Sequence, residues 1–278
     1  MNPDRYCVVG HPVEHSRSPW IHARFAQLTG EPVEYGKLLA PLDGFAATVQ
    51  SFRAEGGRGC NVTLPFKFEA ASIAGTLSDR ARLAGACNTL RFDTQGVFGD
   101  NTDGAGLVRD IGSAGVAIAG REVLLVGAGG AGAGVLGPLL QARPSRLVIA
   151  NRTPAKAQAL VDSHAAIARE QSVDLIACGL DALPGAFDIV VNASASSIAG
   201  GGVPVPAAVL RPGALAYDMM YGPPAQGFLD WARAHGATPR DGLGMLVEQA
   251  AESFFVWRGV RPDTGPVLAE LRALLATG

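Results

Sequence analysis

In Asn61-Val62-Thr63-Leu64-Pro65-Phe66-Lys67, the polar Asn61 and Thr63 fall on one side of a strand end by the two-residue period. Lys67 then falls in the first turn of the helix that Pro65 announces. A lysine there faces the positive end of the helix macrodipole, which disfavours its charged form. The placement predicts a lowered proton affinity and an acid or base role, at a strand end where ligands of open α/β sheets gather. Asn88 ends a similar short run, and Asp103 follows in Asn101-Thr102-Asp103-Gly104; taken singly, each reads as a turn residue. In the run from Gly10 to Pro19, Ser16 and Ser18 bring two hydroxyls to a helix start. Ser18 suits the N-cap and Pro19 the N1 position, and a carboxylate could be held there.

A second cluster carries no side-chain chemistry. Gly127-Ala128-Gly129-Gly130-Ala131-Gly132 follows the apolar run Glu122 to Val126 and opens a helical stretch, the setting in which Gly-x-Gly-x-x-Gly binds a dinucleotide. Missing side chains admit the pyrophosphate to the backbone amides, and the helix N-terminus supplies positive potential. The next strand ends near Ala150, where an NAD enzyme places an acidic residue on the ribose. Here stand Asn151, Arg152, Thr153 and, one turn on, Lys156. Donors and cations at that point suit a 2′-phosphate, so the cofactor expected is NADP.

The elements that must position these residues alternate strand and helix. Tyr6 to Val9, then Ile21, Phe25 and Leu28 stopped by Gly30, form a first βα unit. Val33 to Leu39 and the stripe Leu42, Phe45, Val49 and Phe52 form a second, and a strand near Gly59 to Thr63 leads to a helix from about Pro65. Two short runs about Asp93 to Gly96 predict a β-hairpin. A second α/β unit begins at Arg121, with further strands at Arg146 to Ala150 and Phe187 to Asn192. After Gly242 the stripe Leu243, Leu246, Val247, Ala250, Ala251 and Phe254 marks a long helix; Val260-Arg261-Pro262 then turns into a last one. These final helices are expected to pack on the first domain. The fold class expected is two α/β domains, with residues 1–102 plus 243–278 binding substrate, 103–242 forming a Rossmann-like cofactor domain, and a cleft between them.

At 278 residues the chain suits two such domains. A 48% hydrophobic fraction and net charge of −2, with both signs mixed, leave no electrostatic footprint for nucleic acid or an anionic membrane. No long apolar run or signal-peptide pattern appears. Cys7, Cys60, Cys87 and Cys178 lack ligand spacing, so neither zinc nor disulfides are expected and a reducing cytoplasm fits.

The ordered blocks Pro12-Val13-x-His15-Ser16-x-Ser18-Pro19, Asn61 to Lys67, Asn88-Thr89-Leu90, Asn101 to Gly104, Gly127 to Ala131, Asn151-Arg152-Thr153 and Asp241-Gly242-Leu243-Gly244-Met245-Leu246-Val247-x-Gln249-Ala250 closely resemble shikimate dehydrogenases over nearly the whole chain. The resemblance implies a small-molecule substrate, shikimate or 3-dehydroshikimate, and a monomer or homodimer with no nucleic-acid or membrane partner. It implies that Ser16 and Ser18 hold the substrate carboxylate and that Thr63, Asn88, Asp103, Tyr221 and Gln249 contact its hydroxyls and ring, with Lys67 as acid/base and Asp103 as its partner. For NADP it implies Gly127, Ala128, Gly129, Gly130 and Ala131 at the pyrophosphate. Asn151, Arg152, Thr153, Pro154, Ala155 and Lys156 would meet the adenosine phosphate, with Met219 and Gly242 near the nicotinamide and Asp79 near the cofactor. Met245 reads as core packing. The chain departs from the family at Ala133, where an arginine is common. The alternatives are a quinate/shikimate dehydrogenase using NAD, which an acidic residue at Arg152 or Thr153 would favour, and a non-catalytic shikimate- or quinate-sensing protein, which loss of Lys67 or Asp103 would favour.

Overall fold

The computed structural model describes residues 2–194 and 203–276. The chain runs through β1 (Asp4–Gly10), α1 (Ser18–Thr29), β2 (Val33–Leu39), α2 (Phe45–Ala54), β3 (Gly57–Val62), α3 (Lys67–Ile73), β4 (Thr76–Leu77), α4 (Asp79–Ala84), β5 (Thr89–Asp93) and β6 (Gly96–Asp100). There follow α5 (Asp103–Ser113), β7 (Glu122–Val126), α6 (Gly130–Gln141), β8 (Arg146–Asn151), α7 (Pro154–Glu170), β9 (Asp174–Gly179) and β10 (Phe187–Asn192). The rest is β11 (Leu210–Asp218), α8 (Gln226–Ala234), β12 (Thr238–Arg240), α9 (Leu243–Arg258) and α10 (Gly265–Ala276). Two compact units result, one from Met1–Gly106 with Val247–Gly278, the other from Leu107–Leu246.

In the first unit the strand order is β2-β1-β3-β5-β6-β4. β1 runs parallel to β2 and β3, while the hairpin β5–β6 enters antiparallel to β3. The hairpin closes at Asp93 opposite Gly96, whose φ of 121° a side chain would strain. One sheet face buries Cys7, Val9, Cys60, Val62 and Leu90 under Phe45, Val49 and Phe52 of α2. On the other, Tyr6 stacks on Trp257 and Tyr35 on His22. Trp257 of α9 donates to the Leu90 carbonyl at 3.0 Å, and only a glycine at 59 leaves room for that indole. The segment from Val247 onward thus contributes to this unit's core, while Leu243 and Leu246 of the same apolar stripe belong to the second unit.

Two local expectations fail. Leu42 precedes α2 and is 65% exposed: the helix starts at Phe45, because Pro41 and Gly44 form a turn through the Gly44 N–H to the Pro41 carbonyl. Ser18 is not the N-cap of α1. Arg17 holds that position in an αR conformation, and the Ser18 N–H bonds to Ser16 Oγ at 3.3 Å.

The second unit is a six-stranded parallel sheet of order β12-β11-β10-β7-β8-β9. Read from β9, this is the 3-2-1-4-5-6 order of a Rossmann fold, with its switch between β7 and β10. Both faces are buried, so strands read as continuous apolar runs. Val123 and Leu125 face Leu107, Ile111 and Leu136, while Leu124 and Val126 face Phe187 and Phe228. Met245 packs in the first of these clusters, in the core role expected for it. Asp110, buried on α5, is paired by Arg240 at 2.5 Å and by the Tyr217 hydroxyl at 2.6 Å, a charge satisfied on both oxygens. Among the described residues no helix is long and apolar enough to cross a membrane, and no His/Cys/Asp/Glu group could hold a metal.

Candidate functional site

The loops after the parallel strands β1 and β3 leave the sheet side by side. The Thr63 N–H donates to the Val9 carbonyl at 2.9 Å and the His11 N–H to the Leu64 carbonyl at 3.0 Å. A Cβ on Gly10 would lie 2.3 Å from Thr63 Cγ2, so the glycine lets these loops approach. The Ser16–Ser18 turn and the Thr63–Lys67 turn therefore share one edge, at the carboxyl ends of β1 and β3, from which the chain continues to opposite sides of the sheet. Ser18 is buried and Ser16 half-buried.

Lys67 is the first residue of α3, held there by Phe66, which is buried and stacked on Phe45. Its Nζ lies 2.5 Å from Asp103 Oδ2, with the two side chains 17% and 7% exposed. Asp103 opens α5, where the helix N-terminus favours a carboxylate. Its other oxygen, Oδ1, accepts from Asn88 Nδ2 at 2.8 Å. Both oxygens accept, the pattern of an ionised carboxylate.

The Asn88 amide cannot be turned over. Its Oδ1 accepts the Thr102 backbone N–H at 2.8 Å, a group that only donates, so Nδ2 must face Asp103. Gln249 Oε1 accepts from Asn88 Nδ2 at 3.1 Å and from Thr102 Oγ1 at 3.3 Å. Asn61 lies beneath, donating to the Asn88 carbonyl, Thr89 Oγ1 and Ser253 Oγ. Burial holds the Tyr35 phenol well above its ordinary pKa, and its hydroxyl donates to Asn61 Oδ1 at 2.7 Å. Lys67, Asp103, Asn88 and Gln249 thus come together, on a polar core whose members Thr102, Thr89 and Ser253 sequence reasoning did not select. The helical spacing of four between Gln249 and Ser253 was the available signal.

In the second unit, Gly127 has φ 111° and a Cβ there would sit 2.9 Å from the Ala193 carbonyl; one on Gly132 would sit 2.2 Å from the Gly127 carbonyl. Gly129 differs. It is the N-cap of α6, makes no side-chain cap, and a Cβ on it would meet nothing within 4 Å. An uncapped helix N-terminus with an open approach fits a dinucleotide pyrophosphate. Asn151 ties this turn to the next strand, its Oδ1 accepting the Ala128 N–H at 3.2 Å and its Nδ2 bonding to the Thr153 carbonyl. Arg152, Thr153, Pro154, Ala155 and Lys156 are exposed at the start of α7, the right chemistry for a ribose phosphate. Ala133 is buried. Tyr221 follows β11 and is half-buried, and Gly242 packs on the Met219 carbonyl so closely that a Cβ would approach it to 2.2 Å. Asp79, in the first turn of α4 in the first unit, is fully exposed and paired with Arg82.

Three family models match the chain: a shikimate dehydrogenase substrate binding domain over residues 8–90, a shikimate/quinate 5-dehydrogenase over 110–199 and a shikimate 5′-dehydrogenase C-terminal domain over 242–272. A curated protein of Acidovorax sp. (strain JS42), named shikimate dehydrogenase (NADP(+)), is 68% identical, with 99% of this chain and 98% of that protein covered. Among solved structures, an Ael1 enzyme from Pseudomonas putida is 48% identical with a TM-score of 0.88, covering 96% of this chain and 98% of the other. A shikimate 5-dehydrogenase from Thermus thermophilus, solved with NADP(H) and shikimate, is 30% identical with a TM-score of 0.84, covering 97% and 99%.

Proposed function

The chain belongs to the shikimate dehydrogenase family, and from that premise we propose how its residues carry the reaction. It is an NADP-dependent oxidoreductase that interconverts 3-dehydroshikimate and shikimate. NADPH, when bound, supplies the hydride to the ketone carbon.

Ser16 and Ser18 hold the substrate carboxylate, and Thr63, Asn88, Asp103, Tyr221 and Gln249 receive its hydroxyls and ring. Lys67 gives a proton from Nζ to the ketone oxygen in the reducing direction and takes it back in the other. Asp103, fixed by Asn88, orients that amine. Gly127 to Ala131 meet the pyrophosphate and Asn151 to Lys156 the adenosine phosphate, with Asp79, Met219 and Gly242 as further cofactor contacts. The unit of Met1–Gly106 with Val247–Gly278 supplies most of the substrate contacts and Leu107–Leu246 most of the cofactor contacts, bounds close to the expected 1–102 with 243–278 and 103–242. The protein works in the cytoplasm as a monomer or homodimer, without a nucleic-acid or membrane partner; its mixed charge of net −2, with no strong footprint for either, supports the last point.

The Lys67–Asp103 pair, held at 2.5 Å, is the observation that carries the chemical assignment. Initial rates followed by nicotinamide absorbance, with shikimate or quinate against NADP or NAD, test the function. Turnover is expected with shikimate and NADP; faster turnover with quinate and NAD, or none with any pair, overturns the reading.

A further inference from the structure

Ser253 lies on α9, one turn beyond Gln249, and is completely buried. Its Oγ is within hydrogen-bond distance of four groups: Asn61 Nδ2 at 3.0 Å, Thr89 Oγ1 at 2.7 Å, Thr102 Oγ1 at 3.1 Å and the Gln249 carbonyl at 3.0 Å. A serine hydroxyl has one proton and two lone pairs. The Gln249 carbonyl can only accept and Asn61 Nδ2 can only donate, sharing its two protons among Ser253 Oγ, Thr89 Oγ1 and the Asn88 carbonyl. With its proton on Gln249, Ser253 Oγ has two accepting positions for three neighbours, Asn61 and the two threonine hydroxyls.

The Thr89 hydroxyl reaches Asn88 Oδ1 at 2.9 Å, and the Thr102 hydroxyl reaches Asn88 Oδ1 at 3.1 Å and Gln249 Oε1 at 3.3 Å, so Ser253 takes part in deciding which of them bonds Asn88. Asn88 Oδ1 accepts the Thr102 N–H beside those hydroxyls, and its Nδ2 donates towards Asp103 Oδ1, Thr102 Oγ1 and Gln249 Oε1. We propose that Ser253 is a positioning residue for the reaction, ordering the buried hydroxyl protons so that Asn88 holds Asp103 as an acceptor for Lys67. Ser253 touches neither substrate nor cofactor. In a dry interior, a network short of one member leaves donors unmet and free to turn.

This inference rests on the proposed roles of Lys67 and Asp103. The test compares Ser253→Ala, Thr89→Val, their double variant, Trp257→Phe and Lys67→Met in the full chain. Ser253→Ala and Thr89→Val are each expected to lower kcat for shikimate oxidation roughly tenfold, the scale of one lost hydrogen bond to the transition-state geometry. Their KM for NADP should stay within twofold, and the double variant should lose little more than either single one. Trp257→Phe, which breaks a hydrogen bond on the same helix outside the network, is expected to lower the melting temperature and leave kcat near parental. Parental kcat in Ser253→Ala or, where that variant does not fold, in Thr89→Val overturns the proposal, as does an equal loss of kcat in Trp257→Phe. Parental activity in Lys67→Met overturns the underlying reading, whereas an inactive Lys67→Met beside an unchanged Ser253→Ala overturns only the role of Ser253.

Discussion

Asp103 Oδ2 lies 2.5 Å from Lys67 Nζ, although the two residues are 36 apart in the chain and start different helices. The contact gives the lysine one fixed donor direction. Asn88 donates to the other carboxylate oxygen at 2.8 Å, so a swing of Asp103 away from Lys67 costs a buried hydrogen bond as well as the ion pair.

Lys67→Met keeps the length of the side chain and removes its proton. Turnover is expected to fall roughly a hundredfold to ten-thousandfold, the worth of a positioned general acid, with NADP binding little changed. Activity within about threefold of the parent, or a loss explained by weaker NADP binding or unfolding, would sink the assignment.

Arg152 and Lys156 are exposed cations where the adenosine phosphate is proposed to lie. The parent should prefer NADP strongly, and Arg152→Ala should erode that preference by weakening NADP more than NAD. Equal specificity constants for the two cofactors in the parent contradict this.

Gly129 faces open space, so Gly129→Ala should fold with an unchanged melting temperature. The added methyl would stand where the pyrophosphate approaches, and KM for NADP should rise at least roughly tenfold. An unchanged KM would place the pyrophosphate elsewhere.

Ser16 is proposed to anchor a carboxylate away from the reacting carbon, an interaction made equally in ground and transition states. Ser16→Ala should therefore raise the KM for shikimate more than it lowers kcat. A collapsed kcat at constant KM is the opposing result.

His22 is fully buried against Tyr35, Phe254 and Trp257, and neither ring nitrogen has a hydrogen-bond partner among the described residues. Desolvation pushes its pKa down from 6.5 to about 3. Below pH 6.5 the unfolded chain takes up a proton that the folded one refuses, so this group's contribution to stability falls as pH drops from 6.5 towards about 3. At pH 5 the loss is about 2 kcal/mol. His22→Phe keeps the aromatic stack and should reduce the drop in urea midpoint between pH 7 and pH 5; identical drops in parent and variant would refute the assignment.

Much of this was legible locally. Val33–Leu39 reads as a strand from its own residues, Gly30 ends α1 by adopting the left-handed conformation, and the glycines at 127 and 132 sit where backbone closes on backbone. The strand, the Gly30 stop and the Gly127–Gly132 contact depend on neighbours within a turn or two, which is what periodicity and glycine placement encode, whereas the approach of Gly127 to Ala193 is made by the fold. The exposed Leu42 and the displaced cap at Ser18 show the limit even there: the four-residue Pro41–Gly44 turn outweighed the apolar spacing, and the Ser18 N–H bonds to Ser16 Oγ with Arg17 at the cap. The joining of Lys67 to Asp103, the orientation of Asn88 and the hub at Ser253 have no local signature. They follow from the strand order β3-β5-β6 and the register that sets Asn61 opposite Thr89 and Thr89 opposite Asp100, with α9 returning from the far end of the chain. Buried polar groups are paired by whichever elements the tertiary fold brings over them, so only the assembled sheet decides which of many asparagines and serines share protons with the reactive pair.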